Sequence, residues 1–164
     1  MPLARRQVFF LVRFFIALIV LVGGMTLAPV DRLFVRPFTH GLSVICAALL
    51  NVFGQHVTTL GTIIRGGTFA VDIQNGCNGL EAVAFVAAAV IAFEAPLRAR
   101  VTGVVVGALA IEAFNVIRIL TLYLIGRNHP SLFDTFHLAV WQTVMFGVAT
   151  LFFVAWTSRN RPRA

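Results

Sequence analysis

The sequence predicts an all-α polytopic membrane protein: about four transmembrane helices, one interfacial or re-entrant helix and a small extracytoplasmic β-hairpin, in a single integral domain over residues 1–164. Three observations lead there. First, 59% of the residues are hydrophobic and only 12% charged, with mean hydropathy +0.92. A soluble domain of this length could not bury so much apolar surface, so the bilayer has to be its solvent. Second, apolar runs long enough to span recur along the chain. Third, the net charge of +7 comes from arginine alone, and the arginines gather at the ends of those runs. That pattern orients helices in a membrane; it does not track a phosphate backbone, so the sequence pI near 11.5 is no argument for nucleic-acid binding.

The first run, residues 8–30, supplies the roughly 20 residues that a span requires, and Arg13 is close enough to the basic end to snorkel. It follows Arg5 and Arg6 as a signal peptide would, yet it lacks a clear small-x-small cleavage site and more spans come after it. It is therefore expected to be a retained helix. Residues 31–37 are charged and interrupted by Pro37, which marks the exit from the membrane and the end of the first helix. The run 41–53 is short for a crossing, and His40, Ser43, Ala47, Asn51 and Gln55 recur along one side of it. Such a stripe suits a helix lying in the interface or dipping part way.

From 56 to 73 the texture changes to β-branched residues on both sides of Gly66-Gly67, a hairpin signal. Open sheet edges are not tolerated in hydrocarbon, so the hairpin should lie outside it. Three spans follow at 80–93, 101–125 and 131–156, separated by charged or polar breaks at 94–100 and 126–130. Ser131 and Asp134 have the spacing of a capping box for the last of them.

With four spans, Arg5, Arg6, Arg98, Arg100, Arg159, Arg161 and Arg163 fall on one side, and Arg32, Arg36, Arg65 and Arg127 on the other. The positive-inside rule then puts both termini in the cytoplasm, with the hairpin and the loop after it facing outward.

That loop, Gln74-Asn75-Gly76-Cys77-Asn78-Gly79-Leu80-Glu81, places a thiol between two Asn-Gly turns just ahead of a helix. Glycines there allow left-handed backbone, so Cys77 should be exposed at a corner. The helix N-terminus would lower its pKa and raise the thiolate fraction. The bland alternative is an inert buried cysteine. Arg118 stands about 10 Å inside the outer end of its span, at about 1.5 Å per residue, and a guanidinium that deep is costly unless it faces a polar cavity or an anion. Its alternative is a salt bridge to Glu81 or Glu112. Glu112, Asn115 and Arg118, spaced by three, form a slanted polar stripe. Glu81 and Asn115 read as residues that position the thiol or the guanidinium.

Among the histidines, His137 alone lies two turns into a full span, which would hold it in the bundle near the outer interface; His40, His56 and His129 lie in or beside connectors. No two histidines show ligand spacing on one helix, and Cys46 and Cys77 form no CxxC pair, so neither a metal nor a cofactor is expected. Thiol, imidazole and guanidinium at the outer ends of three successive helices would suit acyl transfer at the membrane surface.

Three blocks in order, Asn75-Gly76-Cys77-Asn78-Gly79-Leu80, Phe114-Asn115-Val116-Ile117-Arg118-Ile119 and Phe136-His137, resemble the exosortase and archaeosortase group of integral-membrane cysteine transpeptidases. The resemblance covers roughly the second half of the chain and looks most like the exosortase H type. It implies Cys77 as nucleophile, His137 as acid/base and Arg118 as electrostatic stabiliser. It also implies as partners secreted proteins that end in a short motif, a transmembrane helix and a basic cluster, cleaved between motif and helix and transferred to an acceptor. Asn78 departs from the Ser or Thr that many members carry after the cysteine. Two other readings stay open: a small transporter or channel component in which Arg118 binds an anionic solute, and a non-catalytic assembly subunit whose polar stripes pack helices.

Overall fold

The computed structural model describes residues 3–160, so Arg161 and Arg163 of the charge tally lie outside the described residues. The chain is mostly helical, with one three-stranded sheet. Helix α1, Leu3–Met25, is followed after a two-residue turn by α2, Ala28–Val52. The strands are β1 (Thr58–Leu60), β2 (Ile63–Gly66) and β3 (Phe69–Asp72). Helices α3 (Leu80–Ala92), α4 (Leu97–Asn128) and α5 (Pro130–Arg159) complete the chain.

Four helices, α1, α2, α4 and α5, have the length and hydropathy to cross a membrane; α3, with 13 residues, is shorter. Helix α1 shows why lipid must surround the molecule, since Ile16, Ile19 and Val20 are exposed along a face that water would not tolerate.

Several elements differ from the sequence expectations. The first helix ends at Met25 and not at residue 30, and residues 31–37 do not break the chain but belong to α2. A π turn at Asp31–Val35 makes this possible, with the Arg36 N–H donating to the Asp31 carbonyl. The wider turn takes up the lost N–H and the ring of Pro37 where a regular α-helix would break. Arg36 Nε donates to Asp31 Oδ2 at 2.7 Å across the same turn. The run 41–53 is thus the second half of a longer helix. The hairpin over 56–73 gains a strand: β1-β2-β3 form an antiparallel sheet with Thr59 opposite Ile64 and Ile64 opposite Val71. The capping box of Ser131 and Asp134 does not form. Instead α5 opens with a 3-10 turn at Pro130–Leu132 that no side chain caps.

Two hydrophobic cores are stacked along α4. One, Val86, Val90, Ile111, Met145, Ala149 and Trp156, joins α3, the first half of α4 and α5, with α1 packed on α3. Glycines let these helices close: a Cβ on Gly103 would meet Trp156 Nε1 at 2.5 Å, and one on Gly107 would meet Phe152 and Val86 at 2.7 Å. The other core, including Leu42, Cys46, Leu50, Ile64, Ile119 and Tyr123, joins α2, the sheet and the second half of α4. Helix α2 therefore packs on the sheet and on α4, not within the α1-α3-α4-α5 bundle.

The charges segregate with the cores. The end formed by the start of α1, the α3–α4 turn and the end of α5 carries Arg5, Arg6, Arg13, Arg98, Arg100 and Arg159 against Glu94 alone, among the described residues. Elsewhere Arg32, Arg36, Arg65, Arg118 and Arg127 are balanced by Asp31, Asp72, Glu81, Glu112 and Asp134.

Candidate active site

Between the two cores lies a belt of buried polar side chains, and Cys77 is on it. The loop from β3 to α3 is shaped by its glycines: Gly76 and Gly79 have φ of +86° and +83°, as the two Asn-Gly pairs suggest. Gly79 is needed for space as well. A Cβ there would lie 2.6 Å from Glu112 Oε1 and 2.8 Å from Asn115 Nδ2, so the loop rests directly on the α4 polar stripe.

Asn78, 1% exposed, braces the loop on three sides. Its Nδ2 donates to Thr39 Oγ1 of α2 at 3.0 Å and to Asn75 Oδ1 at 3.4 Å, and its Oδ1 accepts the Leu80 N–H at 3.2 Å. Glu81 reaches back to accept the Gly76 N–H at 2.8 Å. Cys77 N–H donates to Gln74 O at 2.9 Å, closing the turn that presents the thiol.

The thiol meets His137: Sγ and Nε2 are 3.0 Å apart. His137 comes from α5, within a π turn at Phe136–Val140 that re-aims the side chains there, and the Phe133 ring lies 5.5 Å from its imidazole. Asp134 makes no hydrogen bond to it among the described residues.

Arg118 closes the third side. It is 2% exposed and makes no salt bridge among the described residues, so the expected alternative of a bridge to Glu81 or Glu112 is absent. Its Nη1 donates to Gly76 O over a long 3.5 Å, and its buried Nε and Nη2 have no partner among the described residues. Asn115, fully buried, donates to Glu112 Oε2 at 3.4 Å and does not touch Arg118 through a hydrogen bond.

Cys77, Arg118 and His137 line one cavity of about 260 Å³, walled by β3 and by Ile119, Leu122 and Phe133. A larger cavity of about 480 Å³ lies at the arginine-rich end between Arg6, Phe10, Arg13 and Phe93, with no nucleophile beside it.

Two expectations about the thiol change. Cys77 is half-buried, not exposed. Burial pushes its pKa above the ordinary 9.0; Arg118 pulls it down and Glu81 and Asp72 push it up, with the net effect upward. The thiol stands ahead of the first helical residue, Leu80, whose N–H is already taken by Asn78 Oδ1 at 3.2 Å. The thiol therefore lies beside an imidazole that can take its proton. Sequence reasoning missed Thr39, Phe69 and Phe133. The first reaches the site through Asn78, and the rings reach it through tertiary packing that no local pattern announces.

The fold and this belt define a small polytopic membrane protein with a thiol, an imidazole and a guanidinium around one cavity. A family model described as transmembrane exosortase (Exosortase_EpsH) matches residues 3–155, and the chain belongs to that family. No curated protein and no solved structure matches it.

Proposed function

We propose that this chain is a cysteine-dependent processing enzyme that cleaves secreted proteins at a C-terminal sorting tail and passes them to an acceptor. The carrying observation is the 3.0 Å contact between Cys77 Sγ and His137 Nε2 beside a buried guanidinium whose Nε and Nη2 have no partner. A transporter or an assembly subunit gives no reason for a thiol and an imidazole in contact at that level.

In the first step His137 Nε2 takes the Sγ proton as sulfur attacks the scissile carbonyl carbon, and the carbonyl π pair moves onto oxygen. The Arg118 guanidinium, which lines the same cavity, stabilises that oxyanion. Collapse breaks the C–N bond, His137 returns the proton to the departing amine, and a thioester remains on Cys77. An acceptor amine, or water, then attacks the thioester and restores the thiol. Burial raises the thiol pKa, which suits removal of its proton by His137 as sulfur attacks.

The arginine-rich end is assigned to the cytoplasmic face, with both termini there, so the site faces outward at the level where a half-exported tail presents its scissile bond. The exosortase H type is the member class this loop resembles. The direct test is processing of a tailed reporter in cells. Cys77→Ala, His137→Ala and Arg118→Ala should each abolish it with membrane insertion unchanged. Normal processing in Cys77→Ala would end the proposal.

A further inference from the structure

Strand β3 is one of the two edge strands of the sheet, and five consecutive residues, Phe69 to Ile73, line the cavity that holds Cys77, Arg118 and His137. One face of a strand would contribute only alternate residues, so it is the edge of β3 that borders the cavity. The ladder decides what that edge offers. Ile73 N–H donates to Thr62 O at 3.1 Å, and Val71 and Phe69 stand opposite Ile64 and Gly66. Antiparallel alternation therefore turns the backbone groups of Phe69, Val71 and Ile73 toward β2 and those of Ala70 and Asp72 away from it. The main-chain groups of Ala70 and Asp72 thus take no part in the ladder, and among the described residues no backbone group of another element bonds to them. An open edge carrying unmet donors and acceptors is a template for an extended peptide.

We propose that the substrate segment preceding the scissile bond adds to β3 as a parallel strand. This rests on the processing function above. The direction follows from chain order. β3 runs from Phe69 toward Ile73 and on to Cys77, so a peptide with its scissile carbonyl at Cys77 and its tail entering the bundle runs the same way. In parallel pairing one peptide residue sits opposite Val71, donating its N–H to Ala70 O and accepting at its C=O from the Asp72 N–H. That residue is held by its backbone, while Phe69, Leu122 and Phe133 offer apolar walls to the side chains beside it. The ligand class is thus an extended peptide with small or apolar side chains, aligned by main-chain bonds so that its next carbonyl reaches the thiol.

The test is a backbone N-methyl scan of a tailed peptide substrate, cleaved by the full-length protein in nanodiscs. N-methylation at a single position should raise KM by about tenfold or more, with the neighbouring positions changed by less than about threefold. Asp72→Pro, which deletes the outward N–H, should raise KM for the unmodified peptide by a similar factor while Cys77 remains open to iodoacetamide. Uniform tolerance, or equal losses at every position with cleavage intact, would overturn strand addition alone. Failure of the wild-type protein to cleave the unmodified peptide would remove the processing function and this proposal with it. If Asp72→Pro turned a dimer into a monomer without moving KM, the edge would belong to a second copy and the proposal would fall.

Discussion

Arg118 has five N–H donors and, in this structure, one long bond to Gly76 O, which leaves Nε and Nη2 buried and free. Leaving such donors unmet is costly unless the working complex supplies an acceptor. Lysine keeps the charge but loses the planar fork, so Arg118→Lys should lower the processing rate by about 100-fold or more, as loss of an oxyanion donor does. An anion-transport role would instead tolerate that change. Cys77 makes a pH prediction. With the thiol pushed above 9.0, iodoacetamide alkylation should be slow at neutral pH and go on rising past pH 9 before it levels off. Arg118→Ala removes the one charge that pulls the value down, so the curve should move further alkaline. Because the folded value is raised, Cys77 contributes stability that is fully present below the ordinary thiol pKa and is lost as pH rises through the folded one. Asn78 carries a third prediction: Asn78→Ala and Thr39→Val should each destabilise, with a coupling of about 1 kcal/mol in a double-mutant cycle of thermal unfolding. Zero coupling would mean that the 3.0 Å bond does not brace the loop. Cys77, Arg118 and His137 were legible from three different signals: two Asn-Gly turns around a thiol, a guanidinium deep in an apolar run, and a histidine at the head of the last span. Thr39 was not, since a threonine in a helix is unremarkable until the fold brings Asn78 to it.

At the scale of elements, hydropathy located the helices but misjudged their ends and two of their lengths: the run 41–53, set aside as interfacial, belongs to a helix long enough to cross, and 80–93, counted as a span, holds a helix of 13 residues. The reason is specific: Pro37 and Asp31 read as a break, but a π turn absorbs the proline, and α2 continues from Ala28 to Val52. The second π turn, at Phe136–Val140, contains His137 and has no signature in composition either. The Gly66-Gly67 hairpin was legible, since its turn residues and β-branched flanks are local. β1 was not, because it pairs through Gly61 without a strong turn signal. Helix contacts depend on small residues, so Gly107→Leu should force α4 away from Phe152 and Val86 and cost about 1–3 kcal/mol of stability. Size-exclusion profiles after a heating series would show the loss, whereas Gly147→Leu, with nothing within 4 Å, should behave as wild type.

The whole molecule places its chemistry at a boundary. One apolar core lies on each side of the polar belt, the excess positive charge sits at one end, and the site end is electrically balanced. That division explains how a chain with few polar side chains can hold a buried arginine: the belt concentrates them where the sheet, α2 and the bundle meet. The most direct measurement is the intact mass of the purified protein, acid-quenched during turnover of a tailed peptide. The account predicts a transient adduct equal to the upstream fragment less one water, mapped to Cys77 and released by hydroxylamine. Cleavage of the peptide with no adduct on Cys77, and at an unchanged rate in Cys77→Ala, would contradict it.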